Sequence, residues 1–78
     1  MENETRYREA FKSSLEVSED QLAGLEYQGI PSWDSVGHME LVAAIEDEFD
    51  IMMDTEDIID FSSYNKGIEI LRKYGIEL

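Results

Sequence analysis

Seventy-eight residues, 42% hydrophobic and without cysteine, leave room for one domain over residues 1–78, with one modest core and no disulfide or thiolate metal staple. Six Lys and Arg against nineteen Asp and Glu give a formal charge of −13, a field that repels phosphate backbones and anionic lipid and draws partners rich in Lys and Arg. No apolar run approaches the roughly 20 residues that span a bilayer, and Met1-Glu2-Asn3-Glu4 lacks the basic-then-apolar order of a secretory signal. The expectation is a cytoplasmic monomer with no nucleic-acid partner and no membrane insertion.

The first helical pattern runs from about Glu4 to Leu15, where Tyr7, Ala10, Phe11 and Leu15 recur at helical spacing. From Glu16 to Asp34 the periodicity fails. Gly24, Gly29 and Pro31 punctuate the stretch, while Val17, Leu22, Leu25, Tyr27 and Ile30 fall irregularly. So many apolar residues predict a long loop pinned over a core, with a short helical turn around Glu19 to Leu22 and with Trp33 either packed on the loop or guiding a partner. A loop this long in a compact domain points to function beside it.

The second helix opens at Asp34 or Ser35, both able to accept from the free N–H groups of a first turn, and runs to about Phe49. At about 100° per residue, His38, Leu41, Val42, Ile45 and Phe49 share an inward face, with Met39 on its flank. Val36, Gly37, Glu40, Ala43, Ala44 and Asp47 point outward. That outer face mixes carboxylates with small and apolar residues, the pattern of a docking surface rather than of a merely solvated one. Glu46, Asp47 and Glu48 also crowd the C-terminal turns, where negative charge opposes the helix dipole by about 0.3–1 kcal/mol each.

After Asp50, Ile51-Met52-Met53 reads as a connector with apolar anchors. Asp54 or Thr55 caps a short third helix with Glu56 and Asp57 in its first turn and Ile58, Ile59 and Phe61 available for burial. Ser62 or Ser63 caps a fourth, in which Tyr64, Gly67, Ile68 and Leu71 line one side, Arg72 and Lys73 complement the dipole and Gly75 is the stop signal. No useful length alternates with period two. The predicted fold class is all-α, three main helices plus one short helix.

Asp34-Ser35-Val36 at a helix start, followed by Met39-Glu40-Leu41-Val42 and Glu46-Asp47-Glu48-Phe49, resembles the acyl carrier protein family, in which an Asp-Ser-Leu motif opens the second helix. The resemblance covers nearly the whole chain: an N-terminal helix, a long first loop, a short third helix after the Phe49-Asp50 turn, and Ser62-Ser63 opening the last helix. It implies a four-helix acyl-carrier-like bundle of the stand-alone type, with Ser35 as the attachment site of a 4′-phosphopantetheine arm donated by coenzyme A. Acyl or related intermediates would travel on that arm as thioesters, in fatty-acid, polyketide or other specialised acyl metabolism, and the chain itself would not be an enzyme. The resemblance further implies that Asp34, Val36, Glu40, Ala43, Glu46 and Asp47 meet partners with basic docking patches. Those partners are a phosphopantetheinyl transferase and the acyl- or aminoacyl-activating, condensing and acyl-transfer enzymes. Three positions depart from the family pattern: Trp33 stands where a Gly is usual, Val36 replaces Leu, and Gly37 occupies a site often acidic.

The residues themselves fit this chemistry. A hydroxyl at a helix N-terminus is exposed, and the dipole and free N–H groups there favour an attached phosphate. A cysteine-free chain has no thiol of its own, so thioester chemistry needs a sulfur brought by a cofactor. An aminoacyl or peptidyl carrier would use the same arm, and an unmodified acidic adaptor for a basic protein is the rival from another class. Ser35 and His38, at i, i+3, are neighbours, but no strand-turn-helix elbow accompanies them, which sets a hydrolase aside and makes His38 a satisfied, partly buried histidine. The carboxylates from Asp47 to Asp57 lack the ligand order and central Gly of a calcium loop. Met39, Met52 and Met53 are the candidates for a pliable cargo lining.

Overall fold

The computed structural model describes residues 2–78, in which five helices follow one another: α1 Glu2–Leu15, α2 Glu19–Leu22, α3 Ser35–Phe49, α4 Thr55–Asp60 and α5 Tyr64–Lys73. Among the described residues the one extended pairing is an isolated antiparallel bridge between Glu26 and Ser63. The fold is therefore all-α, with α1, α3 and α5 as the long elements. No helix is long and apolar enough to cross a membrane among the described residues.

Helix α1 begins earlier than its apolar pattern because Glu2 and Glu4 occupy the first turn, where carboxylates complement the dipole. It buries Tyr7, Ala10, Phe11 and Leu15, while on its outer side Arg8 pairs with Glu4 at 2.6 Å and Lys12 with Glu9 at 3.2 Å. The stretch from 16 to 34 is pinned as expected, with Val17, Leu22 and Leu25 buried. Its backbone groups find partners that a segment lying over a core must have. Tyr27 N–H donates to the Ser62 carbonyl at 2.8 Å, Tyr64 N–H to the Leu25 carbonyl at 2.9 Å, and the Ser32 hydroxyl to the Leu15 carbonyl at 2.8 Å.

The core is aromatic. Trp33, rather than lying on the loop, is fully buried and meets Phe11 edge-on at 5.4 Å and Phe61 at 6.4 Å. An indole this large stabilises a small bundle most when its whole area leaves water. Tyr7 lies against Tyr64, and its hydroxyl donates to the Tyr64 carbonyl at 2.7 Å, tying α1 to the first turn of α5. Burial raises the pKa of Tyr7, which keeps that donor protonated.

Four outward or inward assignments change. Gly37 is buried, because the Ser32 carbonyl lies against it; a Cβ built there would fall 2.0 Å from that oxygen. Ile59 is 73% exposed. In a six-residue helix the side facing the core is held by Asp57, and Ile59 lies about 200° around from it. Met52 is 88% exposed while Met53 is buried, so of these two only Met53 serves as an anchor. On α5, Ile70 is buried and Ile68 only half-buried.

Candidate site at the start of helix α3

Asp34 is the N-cap of α3 and Ser35 its first residue. The Asp34 carboxylate accepts from Gly37 N–H at 2.8 Å and its carbonyl from His38 N–H at 2.8 Å. The cap side chain thus satisfies one of the four otherwise free amides of the first turn, and its carbonyl accepts the first regular bond of the helix. Ser35 and Val36 stay exposed, Val36 at 65%. The hydroxyl of Ser35 is therefore presented to solvent at the positive end of a fifteen-residue helix.

Along α3, the predicted docking residues do not all stand alike. Glu40, Ala43 and Asp47 are exposed on the same helix as Val36 and Met39. Glu46 is half-buried, and its carboxylate accepts from Met53 N–H at 2.9 Å, holding the connector to α4. Glu48 is taken up by Arg6, whose guanidinium also lies over the Phe49 ring at 4.8 Å. Glu40 and Asp47 make no ion pair among the described residues. All six Lys and Arg belong to α1 and α5, so α3 and α4 present carboxylates and no cation.

Beside Ser35 lies a cleft of about 350 Å³ between α3 and α4, lined by Tyr27, Ser35, His38, Met39, Ile58, Ile59, Phe61 and Ser62. Its lining is chiefly apolar, and it brings together residues from the loop, two helices and the α4–α5 turn. His38 is the hinge of this arrangement. Trp33 Nε1–H can only donate, and it does so to His38 Nδ1 at 3.0 Å. The ring proton therefore sits on Nε2, which donates to the Ile58 carbonyl at 2.8 Å. A single imidazole thus joins the buried indole, α3 and α4.

Tyr27, Ile58, Ile59, Phe61 and Ser62 carry no site signal in the sequence. They reach the cleft from segments that periodicity cannot place beside Ser35; the one local signal was an inward histidine three residues after the candidate serine. The carboxylates between Asp47 and Asp57 do not converge. Among the described residues no three His, Asp or Glu side chains are gathered as a metal ion requires. No protein-family model, curated protein or solved structure matches this chain.

Proposed function

We propose that the chain is a cytoplasmic carrier that holds acyl or related intermediates as thioesters on a 4′-phosphopantetheine arm at Ser35 and presents them to biosynthetic enzymes. One observation carries this: an exposed serine hydroxyl on the first residue of a long helix, behind an Asp cap and at the rim of an apolar cleft. The residues fit such a group. Attachment exchanges the hydroxyl proton for a phosphoryl group, with the nucleotide part of coenzyme A leaving. A phosphodiester on Ser35 would stand at the helix N-terminus, where the dipole and unspent amides favour its charge. When bound, the arm supplies a terminal thiol, the nucleophile the cysteine-free chain lacks.

The protein's own part is positioning. Asp34 fixes the turn that exposes Ser35; Val36, Met39 and Ala43 offer apolar contact; Glu40 and Asp47 attract a basic partner over several ångströms and orient it on approach. Glu46 serves the connector first and docking second. Incubation with coenzyme A, magnesium and a broad-specificity phosphopantetheinyl transferase, followed by intact mass measurement, tests the assignment. One added arm is expected on the wild-type chain and none on Ser35→Ala. No addition under conditions that modify a known carrier favours an unmodified acidic adaptor, whose acidic α3 face would then be its whole function.

A further inference from the structure

Ser35 and Val36 are exposed, yet the chain on either side of them is tied down. The Trp33 indole donates across Ser35 to His38 Nδ1 at 3.0 Å. The Asp34 carboxylate accepts from Gly37 N–H and the Asp34 carbonyl from His38 N–H, both at 2.8 Å. These bonds within residues 33–38 bracket one exposed hydroxyl. The bracket is anchored outside itself. His38 Nε2–H donates to the carbonyl of Ile58, in the last turn of α4, where carbonyls lack partners within the helix. Gln28 N–H donates to the Trp33 carbonyl at 2.9 Å, and the Ser32 hydroxyl holds the end of α1 through the Leu15 carbonyl at 2.8 Å.

The indole makes the arrangement depend on His38. Trp33 is fully buried between Phe11 and Phe61, its Nε1–H can only donate, and it is paired with His38 Nδ1. Without that acceptor the indole either stays in place with a buried, unpaired donor, which costs the full desolvation of the group, or shifts toward water. Asp34 follows Trp33 directly, so a shift of the indole moves the cap of α3 and Ser35 with it.

We propose that His38 is a positioning residue for group transfer at Ser35: acting through Trp33, it fixes the first turn of α3 so that the Ser35 hydroxyl meets a partner enzyme in one orientation. The role in transfer rests on the carrier reading; the fixing of the turn does not. Reacting atoms misplaced by about 1 Å can cost about a hundredfold in rate, and a loosened first turn presents the productive orientation only part of the time. In that reading docking falls to Met39, Glu40, Ala43 and Asp47, further along α3 and outside the bracket. The loss therefore falls on kcat and not on KM.

The test separates the turn from the reaction. His38→Leu keeps an apolar side chain in the space and removes the acceptor. In that variant, hydrogen exchange at the Gly37 amide should quicken by about tenfold more than exchange at amides in the middle of α5, the mark of a local rather than a global loosening. Arm transfer from coenzyme A by a phosphopantetheinyl transferase should show kcat lowered by about tenfold and KM within about twofold of wild type. His38→Gln, whose amide can accept from Trp33 and donate to Ile58, should restore both readouts. Equal quickening at Gly37 and in α5 of a folded His38→Leu chain, a loss that falls on KM alone, unchanged kinetics, or a glutamine variant no better than the leucine one overturns the proposal. If circular dichroism shows the leucine variant unfolded, Trp33→Phe, which keeps a buried ring and drops the indole donor, decides by the same readouts. Failure of the carrier reading shows separately, as no arm on wild-type Ser35; that outcome removes the role in transfer and leaves exchange to decide whether His38 fixes the turn.

Discussion

Gly37 occupies a first-turn position where a side chain would cost little in most helices, yet here the Ser32 carbonyl leaves no space for one. With a Cβ 2.0 Å from that oxygen, Gly37→Ala must push the 31–34 segment away from α3, and the Ser32 hydroxyl with it from the Leu15 carbonyl. Overpacking of this kind costs about 1–3 kcal/mol, more than the about 0.5–1 kcal/mol that Ala gains over Gly in a helix. Urea unfolding should show a lower midpoint with an unchanged slope. The same residue explains a puzzle in the sequence: glycine weakens a helix start, but here it lets the segment carrying Trp33 close against α3.

At the scale of elements, α4 is too short to hold itself and is tied to its neighbours by side chains. Asp57, the buried carboxylate of its first turn, accepts from Lys73 Nζ at 2.6 Å and from the Tyr74 hydroxyl at 2.6 Å. Tyr74 Oη in turn accepts from Asp54 N–H at 2.8 Å, which satisfies an amide at the start of α4. The hydrogen bond from Lys73, with that from Tyr74, holds the Asp57 carboxyl below its ordinary range, and the Lys73 ammonium is correspondingly raised. A carboxyl whose pKa is depressed in the folded state stabilises fully above its unfolded value of about 3.9 and loses that contribution as pH falls through the lower folded value. Asp57→Asn should therefore melt at a lower temperature than wild type at neutral pH. The gap should narrow below about pH 4 and close in stronger acid. Parallel thermal melts across that range check the sign; a gap constant with pH would mean that Asp57 acts by packing alone.

Across the whole molecule, charge is sorted. The cations of α1 and α5 are largely spent on local pairs: Arg6 with Glu48, Arg8 with Glu4, Lys73 with Asp57. The exposed surface of α3 keeps Glu40 and Asp47 beside Val36 and Met39. On the carrier reading proposed above, a basic enzyme approaching this side would meet one sign of charge and then apolar contact, the order in which steering and docking operate. The same reading predicts that reversing both carboxylates, as Glu40→Lys with Asp47→Lys, slows arm transfer by about tenfold at low salt and flattens its salt dependence. Glu46 is left out of that pair because its carboxylate holds Met53 N–H. Stopped reactions quantified by mass at several ionic strengths measure the effect, and unchanged kinetics would move the docking surface elsewhere.

Local chemistry determined much of this protein. The Tyr7–Phe11–Leu15 stripe, the Asp34 and Ser63 caps and the positive-φ Gly75 set the helices and their ends, because periodicity and capping depend on neighbours three or four residues away. The exposure of Ser35 was legible for the same reason. What required the tertiary structure was everything decided by partners distant along the chain. Trp33 lies in the core because Phe11 and Phe61 receive it. Gly37 faces inward because Ser32 returns over it, and Ile59 faces outward because Lys73 and Tyr74 hold Asp57 in. The cleft beside Ser35 exists because the Ile58 carbonyl of α4 meets His38 of α3, and no spacing within either helix encodes that meeting.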